Sequence, residues 1–422
     1  SGGEKRNSHH NCYDMTTAPK SGGMFSSESV LLPRESMLEV QKTKREVLIG
    51  IPKEISFQEH RIALTPDSVA VLTSNGHQVM VETSAGDSAN FTDTDYSEAG
   101  ARIVYSAKEV YSADIIIKIA APTNDELELM HDKQTLFSVL QVNMQSKDFF
   151  LKMAKKKITA IGYEYMKDDS SLMPVIQAMS EIVGRTSILI ASELLSNTTG
   201  GKGELLGGIA GVPPSEVVIL GAGTVGENAA RTAMGLGADV KIFDDNMYKL
   251  RRVIRNLGEH VFTSTLTQST MLKALRTCDV AIGALHARTG RTPIVVTEEM
   301  VSEMKFGSVV IDVSIDQGGC FETSKATNHT QPTFREYGVV HYCVPNIASR
   351  VAKTASHALS NIFTPILLNV GEHGGLESLL WKDASFRSGV YLFRGTVTNK
   401  YVSDLYRLPF RDLNLLMASF TF

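Results

Sequence analysis

The 422-residue sequence predicts an α/β protein built from two doubly wound parallel-sheet domains separated by a cleft, one domain inserted in the other. Three observations predict it. Short apolar runs alternate with helical stretches from Val47 onward, the pattern of a parallel sheet covered on both faces. A long helical pattern, "VIQAMSEIVGRTSILIASELL" (175–195), and the Gly-rich "NTTGGKGELLGGIAGVPP" interrupt that alternation, which starts afresh at Val217. A further helical stretch after Pro345 leads to a mixed tail. The second block already holds a full set of strands, so the tail is expected to pack back on the first domain. The expected boundaries are an N-terminal arm at 1–44, a substrate domain at 45–174 with 353–422, and a dinucleotide-binding domain at 175–352.

The elements follow in order. The opening "SGGEKRNSHHNCYDMTTAPKSGG" lacks an initiator Met and is rich in Gly, Ser, Asn and His, which reads as an arm, partly disordered or appended. "VLIGIP" is a short apolar run. "TPDSVAVLTSNG" carries a Thr cap, Pro at the first helical position and a closing Gly, and "QVMVET" is apolar again, which completes a βαβ unit. Strands are then expected at "ARIVY", "DIIIKIA", "TLFSVL" and "KITAIGYEY", with helices at "NDELELM" and "KDFFLKMAKK". The second block runs strand, glycine turn, helix, strand, acid in "EVVILGAGTVGENAARTAMGLGADVKIFDDN", then strands at "DVAIGAL", "SVVIDVSID" and "GVVHYCV". The stretch "RVAKTASHALSNIFTPILLNVGEHGG" reads as helix, and no short-period repeat is present.

Composition narrows the function. A net charge of -4 with interspersed lysines, arginines and acids gives no polyanion footprint, so no nucleic-acid partner is expected. The four cysteines, Cys12, Cys278, Cys320 and Cys343, lack the close spacing of a metal or redox site and the density of a secreted scaffold. No run reaches the ~18 uncharged apolar residues that a spanning helix needs. The expectation is a cytoplasmic protein with a small-molecule substrate, no metal and no membrane.

Gly221, Gly223 and Gly226 form G-x-G-x-x-G directly after an apolar strand and at the start of a helix. Such glycines serve a tight turn, close approach of backbone to a pyrophosphate, and close packing of helix on strand. Asp244 closes the next strand 18 residues after Gly226, where an acid bonds the ribose hydroxyls of a dinucleotide. It also repels a 2′-phosphate, which favours NAD. The nearby Lys249, Arg251 and Arg252 read as a solvated helix face.

"IDVSIDQGGC" (311–320) ends a buried-looking strand with an acid, an amide and two glycines. Ligands of an open parallel sheet bind outside the carboxyl ends of its strands, so Asp316 is placed to accept an ammonium group or a proton. The alternative is a helix N-cap, although "QGGCFETSK" starts a helix poorly. Lys118 lies in apolar "IIIKIAAP", where a charge is costly unless it faces a cleft or, as an edge-strand lysine, discourages aggregation. Arg61 alone reads as a surface loop residue and Cys320 as packing.

Several of these segments, in order, resemble one family: alanine dehydrogenase and the related soluble subunit of proton-translocating transhydrogenase. The likeness covers Val47 to the end. It rests on "IGIPKE" with "EHRIALTP", "MSEIVGR", "GAGTVG", "DVSIDQGGCFE" and "HYCVPNI". The resemblance implies two Rossmann-like domains, NAD-dependent interconversion of L-alanine with pyruvate and ammonium, and a homo-oligomer, with a hexamer as the expected assembly. It implies that Arg61 holds the substrate carboxylate and Lys118 sits by the reacting carbon. Ser180 is expected at the nucleotide, and Asp316 and Asn346 near the nicotinamide. One position departs: in "LFSVLQVNM" Gln141 stands where the family carries a histidine, and Gln cannot exchange a proton. A transhydrogenase-like subunit and a catalytically weak NAD-binding regulator are the competing readings, and a related oxidoreductase acting on a larger amino acid or opine is a further one.

Overall fold

The computed structural model describes residues 45–168, 170–258, 261–287 and 290–419. The expected arm at 1–44, and Cys12 within it, lie outside the described residues. The chain first lays down β1 (Leu48–Ile51), β2 (Gln78–Glu82), β3 (Arg102–Val104), β4 (Ile115–Ile117), β5 (Thr135–Ser138) and β6 (Thr159–Gly162). The helix Pro174–Leu195 then leads into β7 (Glu216–Leu220), β8 (Asp239–Phe243), β9 (Phe262–Ser264), β10 (Val280–Gly283), β11 (Val309–Asp312), β12 (Thr333–Glu336) and β13 (Val339–Tyr342). The helix Ala352–Glu372 returns it to β14 (Val390–Phe393) and β15 (Thr396–Val397).

Two sheets result. The first has the order β15-β14-β6-β5-β4-β1-β2-β3, the second β12-β13-β11-β10-β7-β8-β9. Neighbours among β1 to β6 and among β7 to β11 with β13 run parallel, while β12, β14 and β15 pair antiparallel at the edges. Strands β4, β10 and β11 are buried over their whole length, and β7 over all but its first residue, because helices cover both faces, which is why they read as apolar runs. Each sheet reverses its winding once, between β1 and β4 and between β7 and β10. Such switch points are where open α/β sheets bind ligands.

The two long helices fix the junction. Pro174–Leu195 begins with Pro at its first turn, where the missing N–H costs nothing. Its Gly184 lies against the helix Thr224–Gly235 so closely that a Cβ there would stand 2.4 Å from the Val225 carbonyl oxygen. The helix Ala352–Glu372 presents Ser356 and Ser360, four residues apart and so on one face. Ser356 Oγ accepts the Ile62 N–H at 2.9 Å and Ser360 Oγ accepts the Thr65 N–H at 3.0 Å. The segment that carries Arg61 is thereby docked on the return helix.

Candidate active site

At the switch point of the second sheet, the turn after β7 meets the residues after β10. Gly221 has φ 116, and a Cβ there would come within 2.3 Å of the Ala284 carbonyl oxygen. At Gly226 a Cβ would lie 1.8 Å from the Gly221 carbonyl oxygen, so only glycine lets the helix sit on the turn. Gly223 caps the helix Thr224–Gly235 and faces open space. This is the arrangement that leaves backbone N–H groups free for a phosphate at a helix N-terminus. Asp244, buried at the end of β8, accepts the Ala222 N–H at 2.8 Å and the Asn246 N–H at 2.8 Å. Its carboxylate retains acceptor capacity for further hydroxyls.

The solvated-face reading of the basic residues is corrected at two positions. Lys249 Nζ lies 3.6 Å from Asp244 Oδ2, and half-buried Arg252 donates to the Ala222 carbonyl at 3.0 Å. The basic side chains brace the glycine turn because the helix Met247–Leu257 packs beside it. Ser180 is half-buried on Pro174–Leu195, one turn before Gly184 and on the same face, toward the glycine-turn helix.

Asp316 lies in a short 3₁₀ turn, Val313–Gln317, that follows β11. It caps no helix; Asp312 does the local work instead. The Asp312 carboxylate accepts from Ser314 N at 3.0 Å, Cys320 N at 2.9 Å, Phe321 N at 3.3 Å and Ser324 Oγ at 2.6 Å, which folds the Gly318–Gly319 turn around it. Asp316 stays reachable by solvent, although protein surrounds most of its carboxyl. Desolvation pushes that carboxyl up to about 6, against the opposing pull of Arg61 and of a bond from the Asn346 N–H.

Asn346 follows β13 in the left-handed region, at φ 60. Its side-chain amide donates to Glu59 Oε2 at 3.0 Å. Glu59 in turn takes Arg61 in a two-point fork, from Nε to Oε1 at 2.7 Å and from Nη2 to Oε2 at 2.6 Å. Burial works to raise the Glu59 carboxyl, but the bonds from Arg61 outweigh it and hold the group below the ordinary carboxylate range. The remaining Arg61 nitrogen, Nη1, reaches Met179 Sδ at 3.5 Å, beside Ser180. Residues from both sheets, Arg61, Glu59, Asn346 and Asp316, therefore share one electrostatic neighbourhood.

Lys118 is neither open to a cleft nor an edge lysine. It follows β4, an interior strand, and is fully buried; its Nζ donates to Glu126 Oε1 at 2.6 Å and lies 3.8 Å from Glu54 Oε2. Paired carboxylates, rather than solvent, meet the cost of the buried ammonium. Glu54 links the parts, since its charge acts on both Lys118 and Arg61. Gln141 stands three residues beyond β5 with a left-handed backbone at φ 44 and an exposed side chain. Glu164 accepts the N–H groups of Leu140 and Gln141, and burial pushes its carboxyl up to about 7. His131 supplies no substitute: its ring contacts the Ala113 carbonyl at 3.1 Å, before β4, at the opposite end of that strand from Lys118. Glu54, Glu59, Glu126 and Glu164 escaped the sequence reading. The density of acids flanking Arg61 in "PKEISFQEHR" was the available signal.

A glycine turn at the switch point of one sheet, with charged groups of both lobes gathered around Arg61, Asn346 and Asp316, defines a two-lobed doubly wound α/β protein of the dinucleotide-fold class. Two family models match almost all of the described chain: "Alanine dehydrogenase/PNT, N-terminal domain" over residues 50–183 and "Alanine dehydrogenase/PNT, C-terminal domain" over residues 187–400. The chain belongs to the alanine dehydrogenase/PNT family. It is 37% identical over 373 residues to an alanine dehydrogenase of Mycolicibacterium smegmatis, covering 88% of this chain and 100% of the relative. An alanine dehydrogenase of Methanococcus maripaludis is 39% identical over 366 residues, covering 86% of this chain and 98% of that one. A solved L-alanine dehydrogenase superposes with a TM-score of 0.81 at 38% identity over 85% of this chain and 99% of its own. The transhydrogenase from Sinorhizobium meliloti, at 24% identity and a TM-score of 0.73 over 84% of this chain and 99% of its own, shares the fold.

Proposed function

We propose that the chain is an NAD-dependent amino-acid dehydrogenase that interconverts L-alanine with pyruvate and ammonium. The observation that carries this reading is the convergence of Arg61, Asn346 and Asp316 from two lobes, in a chain that is 37–39% identical to alanine dehydrogenases over most of its length. The residues fit a dinucleotide: Gly221, Gly223 and Gly226 would seat its pyrophosphate, Asp244 its ribose hydroxyls, and Ser180, Asp316 and Asn346 would lie toward its nicotinamide. Bound there, NAD would accept the hydride from the substrate Cα.

The chain's own groups do the rest. Arg61, anchored on Glu59 through Nε and Nη2, keeps its outer N–H groups for the substrate carboxylate, and a guanidinium fork suits that task. Asp316 receives the ammonium end or a proton. Lys118, closed off by Glu126 in this structure, would reach the reacting carbon only once displaced from that carboxylate. Gln141 contributes hydrogen bonds to the carbonyl or amine but moves no proton. In this reading residues 45–174 with 353–422 form the substrate domain, 175–352 form the dinucleotide domain, and the working assembly is a homo-oligomer, a hexamer, in the cytoplasm.

The test is NADH formation with a panel of amino acids at alkaline pH, and NADH consumption with keto acids plus ammonium, alongside sedimentation of the full chain. Turnover with L-alanine and pyruvate supports the reading. Binding of NAD without turnover on any amino acid replaces it with a silent NAD-binding protein, the reading that Gln141 favours.

A further inference from the structure

The turn that begins at Gln141 is held from two sides. It is one 3₁₀ turn, Val142–Met144, in which the Met144 N–H bonds the Gln141 carbonyl at 2.8 Å and the Gln145 N–H bonds the Val142 carbonyl at 3.3 Å. On one side Glu164 takes the N–H groups of Leu140 and Gln141. On the other stands the helix Lys400–Tyr406, which the chain adds after β15. Its Tyr406 hydroxyl lies between two carbonyls of the turn, that of Val142 at 2.5 Å and that of Gln145 at 2.6 Å. A phenol has one hydrogen, so this hydroxyl donates to either carbonyl in turn and keeps both within reach. Tyr401 donates to Asn143 Oδ1, and Lys147 Nζ reaches the Arg407 carbonyl at 3.5 Å. The Tyr406 ring is seated on Phe150, with centroids 5.1 Å apart. Gln141, at φ 44, occupies a backbone region that is uncommon for residues with a side chain and persists where the surroundings over-determine it. The N–H groups fixed by Glu164 and the carbonyls fixed by the tail are those surroundings. The turn also adjoins the charged site: Tyr163, next to Glu164, donates to the carbonyl of Ile119, the residue after Lys118, at 2.7 Å and lies in the field of Arg61.

We propose that Tyr406 is a positioning residue of the amino-acid site, which latches the C-terminal helix onto the turn after β5 and thereby holds the exposed Gln141 amide toward the substrate. Tyr406 touches no substrate and moves no proton. Without its hydroxyl, the Gln145 carbonyl loses this partner and the Val142 carbonyl keeps only the long bond from the Gln145 N–H. The left-handed Gln141 is then free to relax toward an ordinary backbone region. Its side chain moves with the backbone, so the hydrogen bond to a substrate carbonyl or amine weakens, while the glycine turn at Gly221, in the other lobe, is untouched. The effect on substrate rests on the dehydrogenase reading; the latch itself does not.

Tyr406→Phe removes the hydroxyl and keeps the ring on Phe150, so the packing of the tail is retained. Amide hydrogen exchange of the full chain, without substrate, reads the latch. Exchange at Gln141, Met144 and Gln145 should quicken about fivefold to tenfold in Tyr406→Phe, the size of one net hydrogen bond, and stay unchanged at the glycine turn. Pyruvate binding to the NADH complex without ammonium, followed by nucleotide fluorescence, reads the consequence. Tyr406→Phe should weaken that binding about fivefold with NADH affinity at the wild-type value, and should weaken it no further in a Gln141→Ala background, because both changes then remove one interaction. Unchanged exchange in Tyr406→Phe overturns the latch. An equal loss of pyruvate affinity with and without Gln141, or a loss of NADH affinity beside it, assigns Tyr406 to the stability of the tail alone and overturns its positioning role. Quickened exchange in Tyr406→Phe, with no pyruvate bound by the wild-type NADH complex, removes the dehydrogenase reading and the positioning role with it.

Discussion

At the scale of single residues, Gln141 and Glu164 are joined through one turn. Gln141 offers hydrogen bonds from a strained left-handed position, and Glu164 beneath it holds that turn by its N–H groups. Gln141→His should keep or raise amino-acid turnover, whereas Lys118→Ala should reduce it to background; the pair of rates, measured on the same substrate, checks both. Loss of a general acid/base at this position is worth about 10²–10⁴-fold, so a wild-type rate within tenfold of Gln141→His would show that another group moves the proton. Glu164 has a stability consequence of its own. Its carboxyl is raised from 4.5 to about 7 in the fold, so ionising it opposes folding: the protonated form's contribution is complete below about 4.5 and lost as pH rises through 7. Glu164→Gln should therefore gain on the order of 1–3 kcal/mol over wild type at pH 8, and that gain should shrink toward pH 5 in denaturant unfolding. Asp244→Asn should weaken NAD binding and narrow its advantage over NADP, read by calorimetry with both nucleotides, since charge repulsion goes with the ribose bonds.

At the scale of elements, the sequence disclosed what period and punctuation record. Most strands, the crossing helix Pro174–Leu195 and the glycine turn at Gly221 were legible, because buried parallel strands are unbroken apolar runs and a dinucleotide turn needs glycine at fixed spacing, whereas β9, β12, β14 and β15, short and at or next to the sheet edges, were not. What stayed hidden was pairing. Nothing in "IIIKIAAP" says that Lys118 will be closed off by Glu126 eight residues later, and nothing near Asp312 says that it, rather than Asp316, will gather the N–H groups of the following turn. Those facts depend on which strands become neighbours. Helix contact is equally hidden. Gly184 reads as an ordinary break in helix propensity, yet it is where two helices touch, with room for no Cβ against the Val225 carbonyl. Gly184→Ala should raise local helix propensity and still destabilise the fold by about 1–3 kcal/mol, because backbone must move to admit the methyl. A rise in melting temperature would contradict that contact. The same displacement should weaken NADH binding, followed by nucleotide fluorescence, since the helix that moves begins at Gly223.

At the scale of the whole molecule, the short segment Gln58–Arg61 bonds the first lobe to residues that flank the last strands of the second sheet, and the way it is held bears on how the lobes act together. Gln58 takes the His329 N–H on Oε1 at 2.7 Å and gives its amide to Thr330 Oγ1 at 2.9 Å. Ser349, buried at the far side, accepts the His60 N–H at 2.9 Å and donates to the Gln58 carbonyl at 2.8 Å. One hydroxyl thus satisfies two backbone groups of the segment that orients Arg61. Ser349→Ala leaves both without a partner, at a cost of about 1–3 kcal/mol if they stay buried. The segment can avoid that cost by lifting off the second lobe, and Arg61 would then lose its fixed place opposite Asn346 and Asp316. The expected outcome is a raised KM for the amino acid with NAD affinity close to wild type, because the glycine turn at Gly221 takes no part in this contact. Ser349→Thr, which keeps the hydroxyl, should restore KM. Equal losses of NAD and amino-acid affinity in Ser349→Ala, with no recovery in Ser349→Thr, would mean that the segment serves overall stability rather than the placement of Arg61 between the lobes.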